Sequence, residues 1–180
     1  MERRDFLKAF GAVAALTILP HESSAAWARV ASGAPLANGL TPSHLALIGA
    51  VADTLIPRTN TPGATDVGVP SFVDVIVSEN YTDADRAAFV AGLDAVEAQL
   101  RSGGTTSFVD LSLDARGPAI EAMEKLTDRR ADPARTYWRL KGLIIHGYFT
   151  SEPVMKDVLH TEIMPGAYNG SAPMPVPSHG

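Results

Sequence analysis

Apolar residues recur at helical spacing along most of the chain, and polar residues fill the positions between them. Near the start of this pattern, Leu45, Ile48, Val51 and Leu55 lie three or four positions apart, as on one face of a helix. The same spacing recurs at Phe72, Val73, Ile76, Phe89, Leu93, Val96, Leu100, Ile120, Met123, Tyr137, Leu140, Ile144 and Tyr148. No segment shows the sustained alternation that is typical of strands. The sequence therefore predicts an all-α fold, an irregular bundle of about five to six helices.

Capping residues and turn formers set the expected limits of these helices. Thr41 before Pro42 is typical of a helix start, and Thr82 and Ser112 are placed to cap two further helices. Glycine and proline dominate the last stretch of the chain, which predicts an extended backbone there. We therefore expect a flexible tether over residues 29–40, a helical domain over residues 41–163 and an extended, proline-rich C-terminal tail over residues 164–180.

The first 28 residues are typical of a twin-arginine signal peptide. Its export motif consists of Arg3, Arg4, Phe6, Leu7 and Lys8. A short, mildly apolar run follows, too short to span a bilayer as a helix, which needs about 20 residues. Small residues come next, and we expect cleavage after Ala26 or Ala28. A retained N-terminal anchor, or an amphipathic surface helix that happens to carry two arginines, are the alternatives.

This export route has a consequence for function. The twin-arginine translocase carries proteins that are already folded, often because a cofactor is inserted in the cytoplasm. The sequence therefore predicts a periplasmic protein that either holds a cofactor or travels with a protein that does.

Composition excludes several classes of function. The chain of 180 residues has 15 basic and 20 acidic side chains, a net charge of −5, which gives no electrostatic footprint for nucleic acid. It has no cysteine, so disulfides, thiolate zinc sites, haem attached through C-x-x-C-H and cysteine-bound iron–sulfur clusters are excluded.

Motifs for cofactor binding and nucleophilic catalysis are missing from the sequence. It contains no G-x-G-x-x-G after a strand, no phosphate-binding loop and no G-x-S-x-G. No two of His44, His146, His160 and His179 have the spacing of a zinc-binding helix. We therefore expect no catalytic, cofactor or metal site in this chain, and a partner that carries the cofactor instead.

Several strings resemble one protein family. They are DTLIPRTNTPGA at residues 53–64, GVP at 68–70, GYFTSE at 147–152 and PGAYNG at 165–170. Together with the twin-arginine start, they resemble the gluconate 2-dehydrogenase subunit 3 family over nearly the whole chain. Many relatives have a cysteine after the last string, where this chain has Ser171, so any thiol role of that position is absent here.

The resemblance implies a role in a complex. That family is the small, or gamma, subunit of membrane-associated, FAD-dependent sugar and polyol dehydrogenases. Its large subunit is a glucose-methanol-choline-type flavoprotein, and a multihaem cytochrome c often completes the complex. The small subunit is thought to have no redox centre, to carry the export signal for the large subunit and to assist its maturation. The partner's sugar or polyol does not follow from the resemblance.

Four residues within the family strings are candidates for contact with the partner: Arg58, Tyr148, Phe149 and Tyr168. The loop that bears Arg58 could equally be purely structural, and the two adjacent aromatic residues could belong to the core. An independent periplasmic enzyme with a metal on His146, His160 and acidic neighbours is the alternative function. A stand-alone binding or structural protein is the third hypothesis.

Overall fold

The structure is a computed structural model that describes residues 20–101 and 106–160. Within these ranges it contains only helices and their connections. The α-helices are α1 (Pro20–Ser32), α2 (Pro42–Leu55), α3 (Val69–Asn80), α4 (Asp83–Leu100), α5 (Leu113–Glu124) and α6 (Ala134–Thr150). A 3-10 turn (Phe108–Asp110) precedes α5, and a π-helical turn (Val154–Val158) follows α6. The predicted all-α bundle is therefore confirmed.

The predicted capping residues begin three of the helices. The side chains of Thr41, Thr82 and Ser112 each accept a hydrogen bond from a backbone amide in the first turn that follows. Helix α3 begins differently, after Gly68 in a left-handed conformation (φ 81°) and with Pro70 in its first turn. The capping pattern in the sequence thus located the starts of α2, α4 and α5.

Helix α6 lies at the centre of the bundle and contacts each of the other five α-helices. Its residues Tyr137, Leu140 and Ile144 are fully buried. Helix α2 is buried over a run of six residues, 47–52, because α3, α4, α5, α6 and the 3-10 turn all contact it. One continuous core therefore runs through the described residues.

Helix α1 occupies a segment where the sequence suggested a cleavage region followed by a flexible tether. The helix continues to Ser32, and Arg29 within it donates a hydrogen bond of 2.6 Å to Glu79 at the end of α3. Further on, Leu40 is buried and its amide donates to Asp74 at 2.7 Å. The described structure therefore has more order over residues 29–40 than a flexible tether implies. The division at residue 28 stays a prediction.

No helix in residues 20–101 and 106–160 is long and apolar enough to cross a membrane.

Candidate functional site at the α2–α3 loop and the end of α6

The loop between α2 and α3, which carries the longest family string, is fixed by its own side chains. Asp53 at the end of α2 accepts hydrogen bonds from the amide and hydroxyl of Thr65, at 3.2 and 2.7 Å. The Gly63 amide donates to Asp66 Oδ2 at 2.8 Å. The bonds to Asp53 join the two ends of the loop, and the Gly63–Asp66 bond fixes the backbone of its second half.

Arg58 projects from this loop and is paired within it. Its Nε donates to Asp66 Oδ2 at 2.7 Å, and its terminal nitrogen binds Asp66 Oδ1. The hydrogen bond from Arg58, followed by the one from the Gly63 amide, lowers the pKa of the Asp66 carboxyl. The Arg58 side chain is nevertheless 74% exposed. The loop therefore presents a positioned guanidinium to solvent, although its fork geometry is already occupied by one carboxylate.

Tyr148 connects the second family string to this loop. Its hydroxyl donates to the Pro62 carbonyl oxygen at 2.9 Å, across 86 residues of sequence. The Tyr148 side chain is buried, with 5% exposure, whereas the neighbouring Phe149 is 48% exposed. The structure thus brings two of the family strings together and gives the two adjacent aromatic residues different surroundings. Tyr148 supports the loop from the core, and Phe149 faces solvent.

The residues after Phe149 hold the end of α6 in place. Thr150 Oγ1 donates to the His146 carbonyl oxygen at 2.8 Å. Ser151 is fully buried and its hydroxyl donates to the Tyr148 carbonyl oxygen at 2.7 Å. The Tyr148 carbonyl oxygen also accepts from the Ser151 amide at 3.2 Å, so the Ser151 hydroxyl is a second donor to it and reinforces the last turn of α6.

Trp27 of α1 contacts the GYFTSE string and the start of α3, which sequence reasoning did not foresee. Its ring stacks on Phe72 of α3, with centroids 4.9 Å apart and an interplanar angle of 27°. Its Nε1 donates to Thr150 Oγ1 at 3.1 Å. A Cβ added to Gly68 would lie 3.6 Å from the Trp27 ring. In the sequence, Trp27 follows four small residues, 23–26, and a single large aromatic side chain in such a segment is a signal that the segment packs against the core.

His146 lies beside Phe72, with ring centroids 6.1 Å apart, and is bonded to α1. Its Nε2 shares a hydrogen bond of 2.5 Å with the Ser23 hydroxyl of α1. Burial lowers the pKa of His146, which favours the neutral ring. His160 is exposed, and its ring nitrogen lies 3.2 Å from the Lys156 carbonyl oxygen. In the described residues, no three His, Cys, Asp or Glu side chains are grouped to hold a metal.

The remaining predicted site residues lie outside the described part of the chain. The export motif, Arg3, Arg4, Phe6, Leu7 and Lys8, lies outside the described residues. So does Tyr168, the fourth candidate for partner contact.

Replacing Tyr148 by phenylalanine is expected to lower the free energy of unfolding by about 0.5–1.5 kcal/mol. The variant keeps the buried ring but removes the donor to the Pro62 carbonyl, so the loop loses its bond to α6. Urea unfolding of the two proteins measures the difference. Phe149→Leu is the matched control and should change stability by less than about 0.5 kcal/mol, because this side chain is half exposed. Equal losses in the two variants would contradict the separate roles assigned to them.

The family model of gluconate 2-dehydrogenase subunit 3 matches residues 42–166. Comparisons with curated proteins and with solved structures give no significant match. The matched region runs from the first turn of α2 to beyond the π-helical turn, and it includes the α2–α3 loop and the whole of α6. It covers more than half of the 180 residues. The chain therefore belongs to the gluconate 2-dehydrogenase subunit 3 family.

Proposed function

We propose that this chain is the non-catalytic small subunit of a periplasmic, FAD-dependent sugar or polyol dehydrogenase complex. It carries the twin-arginine signal, and it exports and helps to mature a large flavoprotein of the glucose-methanol-choline type. A multihaem cytochrome c is a further proposed component, and the complex is peripheral to the inner membrane. The observation that carries the proposal is the family match over residues 42–166, in a chain that begins with a twin-arginine motif.

The route explains why a subunit without its own cofactor is needed. FAD is inserted into a flavoprotein that folds in the cytoplasm, and the twin-arginine translocase accepts folded cargo. A flavoprotein without a signal can then leave the cytoplasm bound to a chain that has one. The chain contains no nucleotide-binding motif, so the FAD of the complex is assigned to the large subunit.

Helix α6 offers a surface for that partner. Ile145 and Phe149 lie one turn apart and are 39% and 48% exposed, whereas Leu140, Ile144 and Tyr148 of the same helix are buried in the core. Large apolar side chains that remain exposed on one helix face are typical of protein contacts. Arg58 lies on the loop that Tyr148 ties to the same end of α6. We assign the contact with the flavoprotein to this end of the bundle.

The proposal is tested by exchanging both arginines of the export motif for lysine, Arg3→Lys together with Arg4→Lys. We expect the chain and its flavoprotein partner to stay in the cytoplasm, so that periplasmic FAD and dehydrogenase activity fall to background. Glu2→Gln is the control, because it changes a neighbouring charge and leaves both arginines in place. If the flavoprotein reaches the periplasm and gains FAD equally well in the arginine variant, this chain is not its escort.

A second pair of variants locates the contact. Phe149→Ala should reduce the amount of flavoprotein that copurifies with the tagged chain. Leu113→Ala, on α5, removes a side chain of similar exposure, 49% against 48%, and should leave copurification unchanged. Equal retention of the partner by both variants would place the interface elsewhere.

A further inference from the structure

The structure bears on whether α1 is lost when the signal peptide is removed. The sequence alone favoured cleavage after Ala26 or Ala28, which would remove half or more of this helix. In the folded chain, however, Ser23 and Ala26 are 3% and 4% exposed. Helix α1 contacts both α3 and α6. The segment is therefore part of the core and not an appendage on it.

The contacts of Trp27 show what cleavage would remove. Its ring covers Phe72, which is fully buried, and its indole nitrogen is bonded to Thr150. Cleavage after Ala28 would remove this ring and expose Phe72. Cleavage after Ala26 would leave Trp27 as the first residue of the chain and remove the buried Ala26 from the core. Either cut would uncover apolar surface, which is unfavourable by the hydrophobic effect.

Polar contacts of α1 would also be lost on cleavage after Ala26 or Ala28. Either cut would remove Ser23 and leave the half-buried His146 ring without its hydrogen-bond partner. On the far side of the cut, Arg29 pairs with Glu79 and donates to the carbonyl oxygens of Ala34 and Pro35, at 3.3 and 3.0 Å. Contacts on both sides of the expected cleavage sites therefore fix α1 on the bundle.

Proteases cut exposed, extended segments, so a helix packed into the core must first open locally. We propose that α1 is a retained part of the mature domain, and that the bonds after Ala26 and Ala28 are not processing sites. The signal peptide is then either kept or removed upstream of Ser23. The test on the exported protein rests on the proposed function, whereas the test of thermal stability does not.

The first test is the N-terminus of the exported protein. The full chain with a C-terminal affinity tag is recovered from the periplasmic and membrane fractions, and its intact mass is measured. A chain that begins at Ser23 or earlier is the expected result. A chain that begins at Trp27 or Arg29 would overturn the proposal. If no chain leaves the cytoplasm, the proposed function fails, and the second test decides this inference by itself.

The second test needs no export or partner. Two deletions are purified from the cytoplasm, one lacking residues 2–19 and one lacking residues 2–28. The longer deletion should lower Tm by at least roughly 5 °C relative to the shorter one, or prevent folding. In the full chain, Trp27→Ala should also lower Tm, whereas Ala28→Gln should not, because Ala28 is exposed. Equal Tm values for the two deletions, or for the two point variants, would overturn the proposal.

Discussion

Replacing Gly92 by alanine is expected to lower the free energy of unfolding by about 1–3 kcal/mol, because the core has no room for the added methyl group. Gly92 lies in α4 where it crosses α6. A Cβ at this position would be 2.0 Å from Thr136 Oγ1 and 2.7 Å from Thr136 Cβ. Thr136 is itself buried and its hydroxyl donates to Asp132 at 2.6 Å, so it cannot turn away without losing that bond. The two helices must therefore move apart.

Gly142→Ala is the matched control for this variant. Nothing lies within 4 Å of a Cβ added there, so alanine should stabilise α6 by up to about 1 kcal/mol through its higher helix propensity. Urea unfolding measures both changes. Thr136→Ala removes the two outer atoms of the clash, and it should make Gly92→Ala less costly than it is in the unchanged chain. If Gly92→Ala is no more destabilising than Gly142→Ala, then α4 and α6 do not approach each other as closely at Gly92 as the structure indicates.

Local signals in the sequence were sufficient for most of the fold. Helical periodicity located α2 to α6, and the hydroxyl side chains of Thr41, Thr82 and Ser112 marked three helix starts. These signals are local because periodicity and capping depend on residues within one or two turns of each other. The class of fold follows from them without knowledge of any tertiary contact.

Helix α1 was not predicted from the sequence, because its position depends on contacts with distant residues. Its segment is rich in small residues, which is also the composition of a signal-cleavage region. What fixes it in the structure is contact with distant residues: Ser23 with His146 and Trp27 with Thr150, each pair separated by 123 positions. Spacing along the chain carries no information about such pairs.

The candidate site was predicted in part. The sequence identified the strings that meet at the end of α6, but not the Tyr148–Pro62 bond that joins two of them. The different exposure of Tyr148 and Phe149 could have been foreseen, because neighbours on a helix point about 100° apart. Tyr148 continues the buried stripe of Leu140 and Ile144, and Phe149 does not. The export motif stays a prediction.

Replacing Gly147 by alanine is expected to cost about 1–3 kcal/mol of unfolding free energy and to disturb the stacking of Trp27 on Phe72. A Cβ at this position would lie 2.7 Å from Phe72 Cδ1 and 3.2 Å from Phe72 Cε1. The Phe72 ring is fully buried and is covered by Trp27, so it can move only by displacing that stacked ring. Near-ultraviolet circular dichroism and tryptophan fluorescence should therefore change together with the stability.

A second substitution separates the packing explanation from a general effect on the helix. Gly142→Ala, on the same helix, should leave both spectra unchanged. Phe72→Leu shortens the side chain that the methyl group meets, so the double variant should lose less stability than the sum of the two single losses. Strict additivity would contradict the direct contact. Gly147, the first residue of GYFTSE, is needed because a residue without a Cβ allows the Phe72 ring to pack directly against the backbone of α6. In that position the Phe72 ring stacks against Trp27.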